Sequence, residues 1–201
     1  MPDKIECHWE QVTFKEQESP GERSSHGLSE INGVIYIFGG EDASKSPTDS
    51  SVYAFDLFNQ NFQNGLAEWR NIKSVENFPI PRVAHAQTTI DNIIYIFGGQ
   101  SVGTHSEQSK QSLLNDLYYF DVKTEVWTEV LAKGKNVPSR RSFHQMASVG
   151  SSLFVFGGCG VNDRMSDLHE FDTHALTWKQ HENVSFSANL ICYKCYRLIY
   201  L

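Results

Sequence analysis

At 201 residues the chain is long enough for one all-β domain, and 40% apolar residues supply a core for it. A net charge of -7 argues against a broad grip on nucleic acid or on an anionic membrane, since either needs clustered Lys and Arg. The N-terminal MPDKIECHWEQ has no apolar signal core, and the apolar run Ser185–Leu201 is broken by Asn189, Lys194 and Arg197, so a cytoplasmic chain without a membrane span is expected.

The first strand signal is HWEQVTF at residues 8–14. It matches VWTEVLA around Trp127, and Trp9 lies 14 residues before Arg23 just as Trp127 lies 14 before Arg141. Residues 1–22 are therefore expected to be an outermost strand, unpaired by any blade of its own, with its linker.

Three segments follow that align without gaps: RSSHGLSEINGVIYIFGG from Arg23, RVAHAQTTIDNIIYIFGG from Arg82 and RSFHQMASVGSSLFVFGG from Arg141. Arg, His (His26, His85, His144) and the diglycines at Gly39, Gly98 and Gly157 all recur at 59-residue intervals, which marks a repeat architecture. Each unit begins with a weakly alternating strand. A turn dipeptide follows, Asn32-Gly33, Asp91-Asn92 or Gly150-Ser151, and then a dense β-branched and aromatic strand suited to burial on both faces.

After the diglycine come a variable loop, an aromatic-Asp strand ending near Asp56, Asp121 or Asp172, and a strand carrying Trp69, Trp127 or Trp178. The Asp residues are expected to close the turn after the third strand, and the Trp residues to fill the core. Four strands with two apolar faces cannot stand alone in water, so the units must stack face to face as propeller blades. The expected blades are residues 23–81, 82–140 and 141–182, followed by a divergent tail, 183–201.

The diglycine after a hydrophobic strand, the later aromatic and Trp, and the opening Arg-x-x-His resemble the kelch family, over residues 9–180. The resemblance implies an incomplete kelch β-propeller: three four-stranded antiparallel blades plus an N-terminal closing strand. A fragment, a truncated isoform or a mispredicted gene end is the expected reason for the incompleteness. In the tail, HENVSFSANLICYKCYRLIYL has no Arg-x-x-His, diglycine or Trp. Two readings of it stay open, unrelated sequence past a junction or a degenerate first strand of a fourth blade at Ser187–Leu198. Uncovered blade faces are expected to promote self-association.

The loops after the diglycines, from Glu41, Gln100 and Cys159, vary in length on a constant scaffold, which is where recognition resides. Arg23, Arg82, Arg140 and Arg141 lie at that same end. Two readings of them stand side by side: an anion-binding collar for an acidic peptide, or packing and loop bonding within each blade. His26, His85 and His144 raise a three-ligand metal reading against local backbone bonding. Cys7, Cys159, Cys192 and Cys195 form no disulfide framework, and the lone CYKC lacks two further zinc ligands.

No nucleophile elbow, P-loop or H-E-x-x-H is present, so no catalytic residue is assigned. The leading expectation is a protein-interaction module without a cofactor. Within the kelch family, RSSHG with FGGE, and RSFHQMAS with VFGG, are most similar to plant nitrile-specifier and epithiospecifier proteins. That branch implies an Fe(II)-dependent breakdown of glucosinolate aglycones. Its iron motif E-x-x-x-D-x-x-x-H is absent, so no metal residue is assigned.

Overall fold

The structure is a computed structural model that describes residues 18–58, 68–73, 76–102 and 111–182. The expected strand at Trp9, the tail 183–201 and Cys7, Cys192 and Cys195 lie outside the described residues. The first sheet holds β1 (Gly27–Ile31), β2 (Val34–Phe38), β3 (Val52–Asp56) and β4 (Arg70–Ile72). The second holds β5 (Ala86–Ile90), β6 (Ile93–Val102), β7 (Gln111–Asp121) and β8 (Val126–Glu129). The third holds β9 (Gln145–Val149), β10 (Ser152–Cys159), β11 (Arg164–Asp172) and β12 (Thr177–His181).

Each sheet is antiparallel, with its strands in sequence order. The hairpin turns open on residues with positive φ, Asn32 at 53°, Asp91 at 52° and Gly150 at 57°, as the dipeptides predict. The third-strand aspartates close the next turn: Asp121 Oδ1 accepts from Lys123 N at 2.8 Å and Asp172 Oδ1 from His174 N at 2.8 Å.

One difference concerns the loops of blades 2 and 3. A register shift between Phe97 and Gly99 absorbs the diglycine as a bulge, after which the ladder resumes from Gly99 opposite Leu114 to Val102 opposite Gln111. Gln100–Val102 are therefore strand, where the sequence suggests loop. In blade 3, Cys159 pairs with Arg164 in the same way.

The core lies between blades. One cluster joins Tyr36, Phe38, Val52 and Ala54 of blade 1 to Ile94, Ile96, Phe120 and Trp127 of blade 2. Its counterpart joins Phe97 and Leu117 of blade 2 to Leu153, Val155, Phe171 and Trp178 of blade 3. Trp127 packs 4.9 Å from Phe38 across one seam, and Trp178 packs 5.2 Å from Phe97 across the next, centroid to centroid. Losing such a buried Trp side chain costs ~3–5 kcal/mol, so Trp127 and Trp178 are seam fillers, whereas Trp69, expected in the core as well, is half-buried just before β4 and packs 5.1 Å from Phe55 of its own blade.

Candidate functional site

The opening Arg of each repeat reaches beneath the loop end of its own blade. Arg82 has no exposed surface. Its Nη1 and Nη2 donate to Asp116 Oδ1 and Oδ2 at 2.7 and 2.8 Å, Nη1 also donates to Gly98 O at 3.0 Å, and Nε donates to Ile80 O at 3.2 Å. Arg141 repeats this with Asp167 at 2.7 and 2.8 Å and Gly157 O at 3.0 Å. Arg23 donates to Gly39 O at 3.0 Å, to Pro20 O and to Asp49 Oδ2 at 3.2 Å. These guanidinium groups tie the first loop and the diglycine to the third strand in blades 2 and 3, and to the loop just before it in blade 1.

Of the four arginines expected as a collar, then, Arg23, Arg82 and Arg141 are turned into the protein and bonded there. Arg140 is the exposed one, with a single bond from Nη1 to Leu113 O at 3.1 Å. The acceptors Asp49, Asp116 and Asp167 escaped the sequence reading. The signal was available in blades 2 and 3, where Asp-Leu precedes the aromatic-Asp strand at the same spacing.

Between Arg and His the backbone turns left-handed at Ser25 (56°), Ala84 (53°) and Phe143 (56°), a conformation that costs an L-residue about 1–2 kcal/mol. Inter-blade hydrogen bonds hold it: Ala84 N donates to Ser25 O, and Phe143 N to Ala84 O, each at 2.9 Å. A second tie runs from Gly99 N to Arg141 O at 2.9 Å. At Gly98, φ is +60° and a Cβ would stand 2.9 Å from Arg141 O, so the diglycine is what lets the next blade approach.

The histidines lock the same seam. His85 packs edge-on to Phe38 of the preceding blade and His144 edge-on to Phe97, with His144 Nε2 3.0 Å from Phe97 O. Burial, reinforced by the neighbouring Arg82 charge, lowers the His85 pKa to about 3. Burial and Arg141 lower His144 to about 3 as well. His26 is lowered by burial and Arg23. Among the described residues no three His, Cys, Asp or Glu side chains form a set able to hold a metal ion, so these residues do not fit an Fe(II) site.

Above this layer opens a cleft of 510 Å³, lined by the same four positions of all three blades: Ser25–Leu28, Ala84–Gln87 and Phe143–Met146. Its exposed side chains differ from blade to blade. Leu28 is 55% exposed, half-buried Gln87 and Met146 stand in its place in the other blades, and Gln145 is exposed where the other blades have Gly27 and Ala86. The layer beneath recurs and the layer facing solvent varies.

Stacked four-stranded blades joined by a repeated Arg-x-x-His turn and diglycine define a propeller of the kelch type. The model of the KLHDC2/KLHL20/DRC7 Kelch-repeats domain matches residues 3–186, and the chain belongs to the Kelch-repeat family. It is 32% identical over 162 residues to the N-(sulfonatooxy)prop-2-enimidothioate sulfolyase of Thlaspi arvense, covering 79% of this chain and 42% of that protein. It is 29% identical to human Kelch domain-containing protein 1 over 81% of this chain and 43% of that one. The solved structure of YjhT shares the fold, with a TM-score of 0.61 at 17% identity, over 81% of this chain and 52% of that one. The chain thus spans about two fifths of the length of these two curated relatives. No helix among the described residues is long and apolar enough to cross a membrane.

Proposed function

We propose that the chain is a protein-interaction module that receives a segment of a partner protein in the cleft formed by the starts of β1, β5 and β9. The observation that carries this reading is the two-layer build of that cleft. Buried Arg, His and glycine fix its floor, while Leu28, Gln87, Phe143, Gln145 and Met146 offer apolar and amide contacts that differ between blades. Variable side chains over a rigid, recurring floor are where a repeat scaffold carries recognition. Arg140, exposed and three residues before Phe143 in sequence, is the cation this reading enlists, and it favours an acidic segment.

The test is selection from a random peptide display library on the purified chain. Enriched peptides should be rich in Asp and Glu, and Leu28→Glu and Arg140→Glu should weaken their capture without moving the melting temperature. Peptides that bind both variants as well as the parent chain would remove the cleft from consideration.

The similarity to the Thlaspi arvense sulfolyase favours a second, enzymatic reading for a longer protein containing these blades. The described residues offer no set of ligands for iron, so any iron site would draw on residues outside them. Retention of one Fe(II) per chain on equilibrium dialysis would promote this reading over the first.

A further inference from the structure

We infer that the cleft reads a carboxamide, the side chain of a Gln or Asn in the partner segment, at a polar notch formed by His85 and Gln87 beside Gly27. This deepens the proposed function and rests on the cleft being the partner's site. Two seams that otherwise repeat differ here. Between blades 2 and 3, His144 Nε2 lies 3.0 Å from Phe97 O, and the residues at the matching positions are Ala86 and Met146. Between blades 1 and 2 those positions hold Gly27 and Gln87, and neither Nδ1 nor Nε2 of His85 has a hydrogen-bond partner, although only 7% of the residue is exposed. Gln87 Nε2 donates to Ser29 Oγ at 2.9 Å, which leaves Oε1 as another buried polar atom without a partner. Gln87 Oε1 and His85 Nε2 converge on one point, since a Cβ at Gly27 would stand 2.2 Å from the first and 2.6 Å from the second. All three residues line the cleft. Buried polar groups left unpaired are costly, so a ligand that pairs them gains more than it would from pairs already made.

The chemistry of the notch selects the occupant. Burial and the Arg82 charge hold His85 neutral, so its ring presents one N–H donor and one acceptor nitrogen. Together with the Gln87 oxygen, the ring asks for a group that both donates and accepts. A primary amide does so: its NH2 donates to Gln87 Oε1 while its oxygen accepts from the imidazole. A carboxylate only accepts, and would set oxygen against oxygen. An ammonium only donates, and would bring a second positive charge towards Arg82. None of the lining residues described is Lys, Arg, Asp or Glu, so nothing in the cleft compensates a charge taken out of water. Gln87 is half-buried, so rotation of its side chain opens the notch to the cleft.

The experiment selects a random peptide display library on the full chain and then measures synthetic copies of the selected peptides by fluorescence anisotropy. Those peptides should share one Gln or Asn, and changing it to Glu or to Met should each weaken binding by about ten-fold. The double variant Gly27→Ala/Gln87→Met copies the other seam into this one. It should keep the parent melting temperature and bind the Gln and Met peptides equally. A shared residue other than Gln or Asn, a Glu peptide that binds as well as its Gln parent, or a double variant that keeps the preference would each overturn the inference and leave the interaction reading standing. A library that yields no peptide overturns both. Where the double variant fails to fold, the Gln, Glu and Met peptides on the parent chain still decide.

Discussion

In the middle blade Arg82 is fully buried and grips Asp116 through two bonds of 2.7 and 2.8 Å, whereas in the first blade Arg23 meets Asp49 through one contact of 3.2 Å. The cause is a displacement in sequence. Asp116 immediately precedes Leu117, but Asp49 stands three residues before the equivalent Val52. From there its Oδ1 accepts from Ser51 N at 2.9 Å, and its Oδ2 is shared between Arg23 and the Tyr53 hydroxyl at 3.1 Å. The third blade keeps the tight clamp, yet its diglycine meets no following blade among the described residues. The middle blade thus has both the tight clamp and the covered diglycine, and each end blade lacks one of the two among the described residues.

Acid offers the largest break in that comparison. His85 and His144 are held neutral with pKa values of about 3, against 6.5 for an ordinary histidine. Above pH 6.5 they cost nothing. As pH falls from 6.5 towards 3 the unfolded chain takes up protons that the folded chain refuses, so stability is lost by up to ~1.4 kcal/mol per pH unit for each histidine. Asp167 adds to the loss at the acid end of that range. Its burial acts to raise the pKa, but hydrogen bonds from Arg141 and His169, with their charge, hold it well below the usual carboxylate range. Urea titrations at stepped pH should show this slope, and His144→Gln, whose amide can still donate to Phe97 O, should remove about half of it. An unchanged slope would place the proton uptake elsewhere.

Single substitutions sharpen the contrast further. Arg82→Ala strands a partly buried Asp116 and should cost about 3–5 kcal/mol, whereas Arg23→Ala should cost about 1–2 kcal/mol, measured as shifts in urea midpoint at constant slope. Equal costs would mean that clamp geometry is irrelevant. Gly98→Ala drives a Cβ against Arg141 O and the His144 ring across the closed seam, and about 2–4 kcal/mol should be lost. Gly157→Ala has a similar φ of +62°, but its nearest contact is Met165 O within its own blade at 3.1 Å, so only about 1–2 kcal/mol is expected.

The repeat was legible because a blade forces the same residue types to recur: Arg, His and the diglycine keep a 59-residue interval, and Phe-Asp and Trp follow in the same order in every unit after a loop of variable length. The bulged continuation of β6 past Gly98 was not legible, since Gln100–Val102 has no apolar run and becomes strand only through pairing with Gln111–Leu113. The left-handed turn at Ser25, Ala84 and Phe143 was equally hidden. None of those residue types favours positive φ, and the conformation is imposed by the neighbouring blade through hydrogen bonds that only the folded stack provides. The cleft inherits this limit, because its lining comes from three blades and its floor from the seams between them.

Arg140 and Arg141 show where residue type alone stops being informative. They are adjacent and chemically identical, yet Arg141 is fully buried on Asp167 while Arg140 is exposed with one backbone bond. Alternation along an extended segment sends neighbouring side chains to opposite sides, so one guanidinium faces the blade and the other faces solvent. Arg140→Glu should therefore shift stability by less than ~0.5 kcal/mol, the smallest effect expected of any arginine considered. The same change should weaken capture of acidic peptides and flatten its dependence on salt, because a rim charge acts chiefly through long-range attraction. If capture is unchanged while Leu28→Glu abolishes it, the partner is held by apolar contacts in the cleft and the acidic character assigned to it is wrong.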